Sequence, residues 1–167
     1  MIKTERLVIK SYSDSDYDQM YELLTNNLIK ETYVIPDFQS SQEVKNFFNK
    51  LIILSQSNNH YEKGIYLNNH LIGFVNDVEI ENDTIEIGYV IHPNHHNLGY
   101  ASEMLNAVIK DLFGRGFNTI KCCAFESNHA SFRVMEKCNM KPMNHFVEMI
   151  HQSKKQRCEY YSISRND

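Results

Sequence analysis

The sequence predicts an α+β fold in which helices lie on both faces of a mixed, mostly antiparallel central sheet. Two observations favour this class. The pair Asn68-Asn69 separates two apolar runs, and asparagine tolerates the positive φ that tight hairpin turns require. Further along, an apolar run over 85–91 leads through a polar turn into an amphipathic segment, as expected for a strand that feeds a helix. Elements in this order build a layered α+β domain.

The first part of the chain predicts one strand and two helices. Alternation over 6–10 indicates a strand. Positions 13 and 40 each hold a serine three residues before an Asp or Glu, which is the capping-box pattern of a helix start. The first helix is expected to end near residue 27 and the second between 55 and 59. Residues 29–39 predict a loop or a short helical turn.

The second part of the chain predicts a hairpin, a strand–helix–strand unit, a further helix and a closing hairpin. The hairpin strands are expected over 61–67 and 71–80, and a turn at 81–83 leads to a strand over 84–91. The next helix carries an apolar stripe and ends at Gly114 or Gly116. The remaining elements are a strand over 119–124, a helix over 128–138 and a hairpin that turns around Lys154-Lys155, with strands over 149–151 and 160–163.

Composition favours a single domain over residues 1–167. The chain is 42% hydrophobic with a net charge of −4, and no block of Lys or Arg indicates nucleic acid or an anionic membrane as a partner. The polar N-terminus and the lack of a long apolar run argue against a signal peptide or a membrane span, so a cytoplasmic location is expected.

Cysteine and histidine are plentiful but form no metal-binding frame. The four cysteines show no paired spacing, which favours reduced and mostly buried thiols. Three of the eight histidines, His92, His95 and His96, lie close together, yet neither an HExxH nor a Cys-x-x-Cys pattern accompanies them. We therefore expect no metal.

The turn between residues 91 and 100 has the character of an anion site. The helix after it starts near Tyr100, and the first N–H groups of a helix lack internal acceptors and carry partial positive charge. Gly99 has no Cβ, so a phosphate can approach the backbone closely. These features indicate phosphate or pyrophosphate binding without specifying a base. The helix is expected to bury Ala101, Met104, Leu105, Val108 and Leu112.

Three segments of the chain resemble the GNAT superfamily of N-acetyltransferases. Residues 96–101, His-Asn-Leu-Gly-Tyr-Ala, look like the coenzyme A loop of that superfamily. Residues 4–7, Thr-Glu-Arg-Leu, and residues 128–137 are similar to the opening strand and the second cofactor helix of its Rim-type ribosomal-protein branch. The segments come in the expected order, and the resemblance spans nearly the whole chain. It implies the acyl-CoA N-acyltransferase fold, acetyl-CoA as the acetyl donor and no metal.

The resemblance also implies a set of cofactor-binding residues. His96 stands where relatives usually have Gln or Arg, and Asn97 stands where Gly is frequent. Leu98 replaces a common Lys or Arg, and this loss of charge predicts weaker attraction of the cofactor. Arg133 is explained equally well as a residue of a surface helix, and Asn128 fits a helix N-cap as well as a cofactor contact. The full set is Tyr89, Val90, Ile91, His96, Asn97, Leu98, Gly99, Tyr100, Ala101, Ser102, Asn128, Ser131 and Arg133.

Glu86 is the candidate general base, because it lies on the strand that leads into the loop. A carboxylate within a sheet is unusual unless it is paired or faces a cleft. It either removes the proton of the attacking amine, directly or through water, or it is a structural carboxylate bound to a loop or to an Arg such as Arg6. Met135 stands where many relatives have the Tyr that protonates the thiolate, and Tyr160 and Tyr161 are possible substitutes.

The expected activity is transfer of an acetyl group from acetyl-CoA to a primary amine by direct attack in a ternary complex. The acceptor is a protein N-terminus, an amino acid, a polyamine or an antibiotic. A non-catalytic module that binds or senses acyl-CoA is the alternative, and another phosphate ligand at the same turn is a third reading. The protein is expected to be a monomer or homodimer.

Overall fold

A computed structural model describes residues 1–166. It contains one eight-stranded sheet with the order β1-β2-β3-β4-β5-β6-β8-β7. The strands are β1 Ile2–Lys3, β2 Leu7–Lys10, β3 Glu62–Leu67, β4 His70–Glu81, β5 Thr84–Ile91, β6 Thr119–Phe125, β7 Lys141–His151 and β8 Lys154–Ser164. The helices are α1 Tyr17–Thr25, α2 Asn27–Thr32, α3 Ser41–Gln56, α4 Tyr100–Gly114 and α5 His129–Lys137, with short 3-10 turns at Asp14–Asp16 and Pro93–His95.

The sheet is mixed and mostly antiparallel, which confirms the predicted fold class. The pair β5–β6 is parallel, whereas β1–β2, β2–β3, β3–β4, β6–β8 and β7–β8 are antiparallel. The described residues group into two compact units, 1–76 with 89–100, and 77–88 with 101 onward. The expectation of one domain over 1–167 stays a prediction. None of the helices within residues 1–166 is long and apolar enough to cross a membrane.

In the first unit, helices α1 to α3 and strands β1 to β3 enclose an apolar core. Both expected helix starts are present: the Ser13 N–H donates to Asp16 Oδ2 at 2.7 Å, and the Ser40 hydroxyl accepts the Glu43 N–H at 3.2 Å. Each contact satisfies a polar group that a helix end would otherwise leave without a partner. The core residues are Tyr12, Met20, Leu23, Leu24, Ile29, Ile35, Val44, Phe48, Tyr66, Leu71, Phe74 and Val90.

In the second unit, the strand registers separate a buried face from a polar one. Glu86 is opposite Lys121, and Cys123 is opposite Tyr160, so these side chains share one face. The other face carries apolar residues such as Ile120, and α5 covers part of it, since the ring of Phe132 on that helix stacks on Tyr161 at 5.4 Å.

Several predicted boundaries were wrong. The first helix ends at Thr25, because Asn26 accepts the N–H groups of Leu28 and Ile29 and so caps a separate helix, α2. The short strand β1 was not predicted. The closing hairpin is longer than expected, with strands of 11 residues each, and its turn lies at 152–153 rather than at Lys154-Lys155.

Candidate active site

The segment between β5 and α4, in the first unit, is held by its own backbone. The N–H of His92 donates to the Ile72 carbonyl at 2.7 Å and so fixes the end of β5 against β4. The following 3-10 turn is closed by the N–H of His95, which donates to the His92 carbonyl at 2.8 Å, and by the N–H of His96, which donates to the Pro93 carbonyl at 3.0 Å. These three hydrogen bonds therefore fix the backbone that leads into residues 97–100.

The next backbone N–H groups are directed away from other protein acceptors. Those of Asn97, Leu98 and Gly99 donate to no protein group within residues 1–166. Asn97 has a φ of 59° and Gly99 a φ of 83°, and left-handed residues interleaved with ordinary ones turn successive N–H groups into a concave anion-binding surface. The segment leads directly into the first turn of α4, whose N–H groups also lack intrahelical acceptors. The three N–H groups of 97–99, all in the first unit, are donors of the kind that bind an anion.

His96 is engaged with the backbone of its own loop. Its Nε2 lies 2.7 Å from the Ile91 carbonyl oxygen, and because a carbonyl can only accept, Nε2 carries the proton. In the neutral ring, Nδ1 is then an acceptor and cannot donate to a phosphate. The expected contact between His96 and the pyrophosphate stays a prediction.

The end of β5 packs tightly on β4. Val90 is 6% exposed and Ile91 is 7% exposed. A Cβ placed on Gly73 of β4 would overlap the carbonyl oxygen of Val90 and lie 3.1 Å from Ile91 Cα. Glycine at position 73 thus permits the close approach of the two strands, and Tyr89 beside them is half-buried.

Glu86, in the second unit, is a buried carboxyl with polar neighbours. It is 7% exposed, and its carboxylate accepts hydrogen bonds from Cys123 and Tyr160. Burial raises the pKa of Glu86, and the charge of Glu79 adds to this; the two hydrogen bonds and the charge of Lys121 act in the opposite direction. The carboxyl therefore takes up a proton more readily than an exposed glutamate, as a general base for an amine requires.

The predicted cofactor residues of the second unit lie on α4 and α5. Asn128 is the N-cap of α5, with its Oδ1 accepting the Ser131 N–H at 3.2 Å, which confirms the predicted cap. Arg133 is exposed on the same helix. The carbonyl of Ser102 on α4 accepts the Cys138 thiol at 3.5 Å. Roles of Ala101, Ser102, Asn128, Ser131 and Arg133 in cofactor binding stay predictions.

Comparison with known proteins identifies the family. Residues 6–141 match the model of the acetyltransferase (GNAT) domain, which is more than half of the chain. The chain belongs to the acetyltransferase (GNAT) family. This membership confirms the enzyme class expected from the sequence, an acetyl-CoA-dependent N-acetyltransferase.

Relatives of similar length agree with this membership. The chain is 28% identical to the uncharacterized N-acetyltransferase YnaD of Bacillus subtilis (strain 168), over 96% of this chain and 94% of that protein. A GNAT-family acetyltransferase from Bacillus anthracis has a TM-score of 0.84 and 27% identity, with 99% of each chain covered. The ribosomal L7/L12 α-N-protein acetyltransferase RimL, solved in complex with coenzyme A, has a TM-score of 0.86 at 18% identity, with 96% and 95% covered. The predicted GNAT fold is confirmed.

In this GNAT protein, neither Tyr160 nor Tyr161 is placed as a strong general acid. Burial raises the pKa of Tyr160, and the neighbouring charge of Glu86 raises it further. The hydroxyl of Tyr161 donates to Glu136 Oε1 at 3.2 Å, and burial again raises the pKa. Met135 is buried at 1% exposure. A thiolate leaves without full protonation more easily than an alkoxide, because the pKa of a thiol is only about 8.5.

The thiols and histidines are arranged as packing and loop residues. All four cysteines are free thiols. No three His, Cys, Asp or Glu side chains within residues 1–166 are grouped to hold a metal ion. His92 Nε2 lies 3.1 Å from Glu22 Oε1, but the geometry is not that of a hydrogen bond. Burial lowers the pKa of His95, as do the neighbouring His92 and His70.

Sequence reasoning did not find Cys123 as a neighbour of Glu86. The contact depends on the register of β6 against β5 and β8, which sequence spacing does not reveal. The only signal in the sequence is the spacing of Lys121 and Cys123, which are two positions apart on β6 and so share one face of the strand.

Proposed function

We propose that the protein transfers an acetyl group from acetyl-CoA to a primary amine by direct attack in a ternary complex. The observation that carries this proposal is the run of backbone N–H groups over 97–99 that have no protein acceptor among residues 1–166 and lead into α4. Backbone donors of this kind suit the pyrophosphate of coenzyme A and need no charged side chain.

Glu86 is proposed as the base. The amine nitrogen attacks the thioester carbonyl carbon, and its proton passes to Glu86 or to a water that Glu86 orders. The carbon–sulfur bond then breaks to release coenzyme A as a thiolate, which takes up a proton from water. Alternation along β5 puts Glu86 on the same strand face as Val90. A backbone N–H near Val90 or Ile91 is proposed to stabilise the developing oxyanion, and the same strand to hold the pantetheine arm.

Isothermal titration with acetyl-CoA, and separately with ATP, tests the cofactor part of the proposal. Selective and roughly stoichiometric binding of acetyl-CoA is expected. Equal binding of ATP would support a different phosphate ligand at the same turn, and no binding of acetyl-CoA would refute the transferase proposal.

A panel of amines, comprising peptides with free N-termini, amino acids, polyamines and aminoglycosides, then identifies the acceptor. Glu86→Gln should abolish most transfer while acetyl-CoA still binds. Glu79→Gln is the matched control, because it removes an exposed carboxylate near Glu86 and should leave most activity. Binding of acetyl-CoA without transfer to any amine would favour the non-catalytic module. The proposal includes a cytoplasmic location and a monomer or homodimer.

A further inference from the structure

The tight turn between β1 and β2 places Arg6 at its tip. Ile2 pairs with Ile9 and Lys3 with Val8, so the two strands form a hairpin. Three hydrogen bonds join Thr4 to Leu7: the Thr4 N–H donates to the Leu7 carbonyl at 2.9 Å, and the Thr4 hydroxyl accepts the Leu7 N–H at 2.9 Å and donates to the Leu7 carbonyl at 3.2 Å. These bonds fix the backbone of the Thr-Glu-Arg-Leu segment, and so they fix the position from which the Arg6 side chain extends.

The guanidinium of Arg6 contacts Leu98 and Tyr100 and lies beside Gly99, between β5 and α4. Its Nη1 donates to the Leu98 carbonyl oxygen at 2.9 Å. Its Cζ lies 4.5 Å from the centre of the Tyr100 ring, within the range of a cation–π contact. Its Nη2 would lie 3.3 Å from a Cβ on residue 99, so a side chain at that position would have to displace the guanidinium by a few tenths of an ångström.

The bond to Leu98 determines the direction of the next N–H. A trans peptide unit is planar, with its C=O and N–H on opposite sides. The Leu98 carbonyl and the Gly99 N–H belong to one such unit. Because Arg6 holds that carbonyl on its own side, the Gly99 N–H points to the opposite side, where it has no protein acceptor within residues 1–166.

We infer that Arg6 is a positioning residue for the acyl donor: it orients the Leu98–Gly99 peptide so that the Gly99 N–H faces the pyrophosphate. This inference rests on the proposed function. Arg6 acts through the peptide and not on the reacting atoms. The planar guanidinium is suited to the task, because its flat face lies over the Tyr100 ring while one N–H donates to the carbonyl, whereas an ammonium group has no flat face to stack.

Binding of coenzyme A to Arg6→Ala, Arg6→Lys and Lys10→Ala gives the first measurement. Lys10 is the matched control, because it lies on β2 over the Tyr66 ring at the same 4.5 Å and away from the loop. For Arg6→Ala, the dissociation constant measured by titration calorimetry should rise roughly fivefold, equivalent to about 1 kcal/mol. Arg6→Lys should fall between Arg6→Ala and the wild type, and Lys10→Ala should bind like the wild type.

Selective labelling gives a readout of the peptide itself. The chain has six glycines, and Leu98-Gly99 is its sole Leu-Gly pair, so ¹³C′-leucine with ¹⁵N-glycine identifies the Gly99 amide without further assignment. Coenzyme A should shift this amide strongly in the wild type and in Lys10→Ala. In Arg6→Ala the shift should be smaller even at saturating coenzyme A, since the N–H is no longer held in place.

The outcomes separate the inference from the proposed function. An equal Gly99 shift and an unchanged dissociation constant in Arg6→Ala would overturn the role of Arg6 and leave the function standing. A similar loss of binding in Lys10→Ala would also overturn it, because the effect would then be general. If coenzyme A binds to the wild type without shifting Gly99, or does not bind, the inference fails together with the proposed cofactor site.

Discussion

Replacing Gly73 by alanine tests the close contact between β4 and the end of β5. The added Cβ would overlap the Val90 carbonyl oxygen and lie 3.1 Å from both the Cα and Cδ1 of Ile91. Two of these three atoms belong to the backbone, so relief requires the strands to move apart rather than a side chain to rotate. Overpacking in a well-packed region costs about 1–3 kcal/mol, and a backbone clash belongs at the upper end.

The expected result is a fall in melting temperature of about 6–12 °C, since 1 kcal/mol corresponds to about 2–4 °C for a chain of this size. Gly114→Ala is the matched control. It adds the same methyl group at the end of α4, where φ is not positive and no atom of residues 1–166 outside the adjacent helix backbone and chain neighbours lies within 4 Å. It should stabilise the protein by about 0.4–1 kcal/mol through the unfolded state.

Thermal unfolding followed by circular dichroism, and calorimetric binding of coenzyme A, are the assays. Gly73→Ala should also weaken coenzyme A binding, because Val90 and Ile91 belong to the strand proposed to hold the pantetheine arm. A Gly73→Ala variant that melts like the wild type and binds coenzyme A normally would refute the argument from close strand packing.

Three further predictions concern Glu86, the thiols and the cap of α5. Glu86→Gln should lower kcat by about 10²–10⁴-fold, and wild-type activity should rise with pH through the raised pKa of Glu86. A carboxyl whose pKa is raised in the folded state contributes stability that is complete below the pKa of the unfolded state and is lost as pH rises through the pKa of the folded state. Glu86→Gln should therefore raise the melting temperature more at pH 8 than at pH 4. The reverse order would contradict the raised pKa. Burial raises the pKa of all four thiols, that of Cys138 to about 11. Ellman's reagent should therefore react slowly with the thiols until the protein is denatured. Rapid labelling of the folded protein would disprove the expected protection. Asn128→Ala should lower the unfolding free energy by about 1 kcal/mol, as loss of an N-cap does, and an unchanged melting temperature would show that the cap contributes nothing.

Local signals in the sequence predicted most of the fold. The helix α3 and the hairpin at Asn68-Asn69 follow from capping and turn chemistry, which depend on a few neighbouring residues. The hairpin of β7 and β8 was underestimated because β7 is mostly exposed and lacks an apolar alternation. Its turn residues, Gln152 and Ser153, are both left-handed although neither residue type indicates this conformation.

The candidate site was predictable where it is local and not where it depends on pairing. Gly99 and the start of α4 lie in one continuous segment, so the anion-binding character could be derived from spacing. The contact between Arg6 and Leu98 joins residues 92 positions apart, and the neighbours of Glu86 depend on the register of β6 and β8. No periodicity within a single segment carries such information.

Asparagine, rather than glycine, occupies most of the left-handed backbone positions within residues 1–166. Within residues 1–166, six of the eight non-glycine residues with left-handed backbone are asparagines, and one of them, Asn97, lies in the segment proposed to bind coenzyme A. A residue with a Cβ has fewer accessible conformations than glycine, so the unbound loop has less entropy to lose when a ligand orders it. Tight binding can thus arise from a loop that is already ordered rather than from added charge. In calorimetry, Asn97→Gly should weaken coenzyme A binding through a larger entropic penalty, with little change in enthalpy.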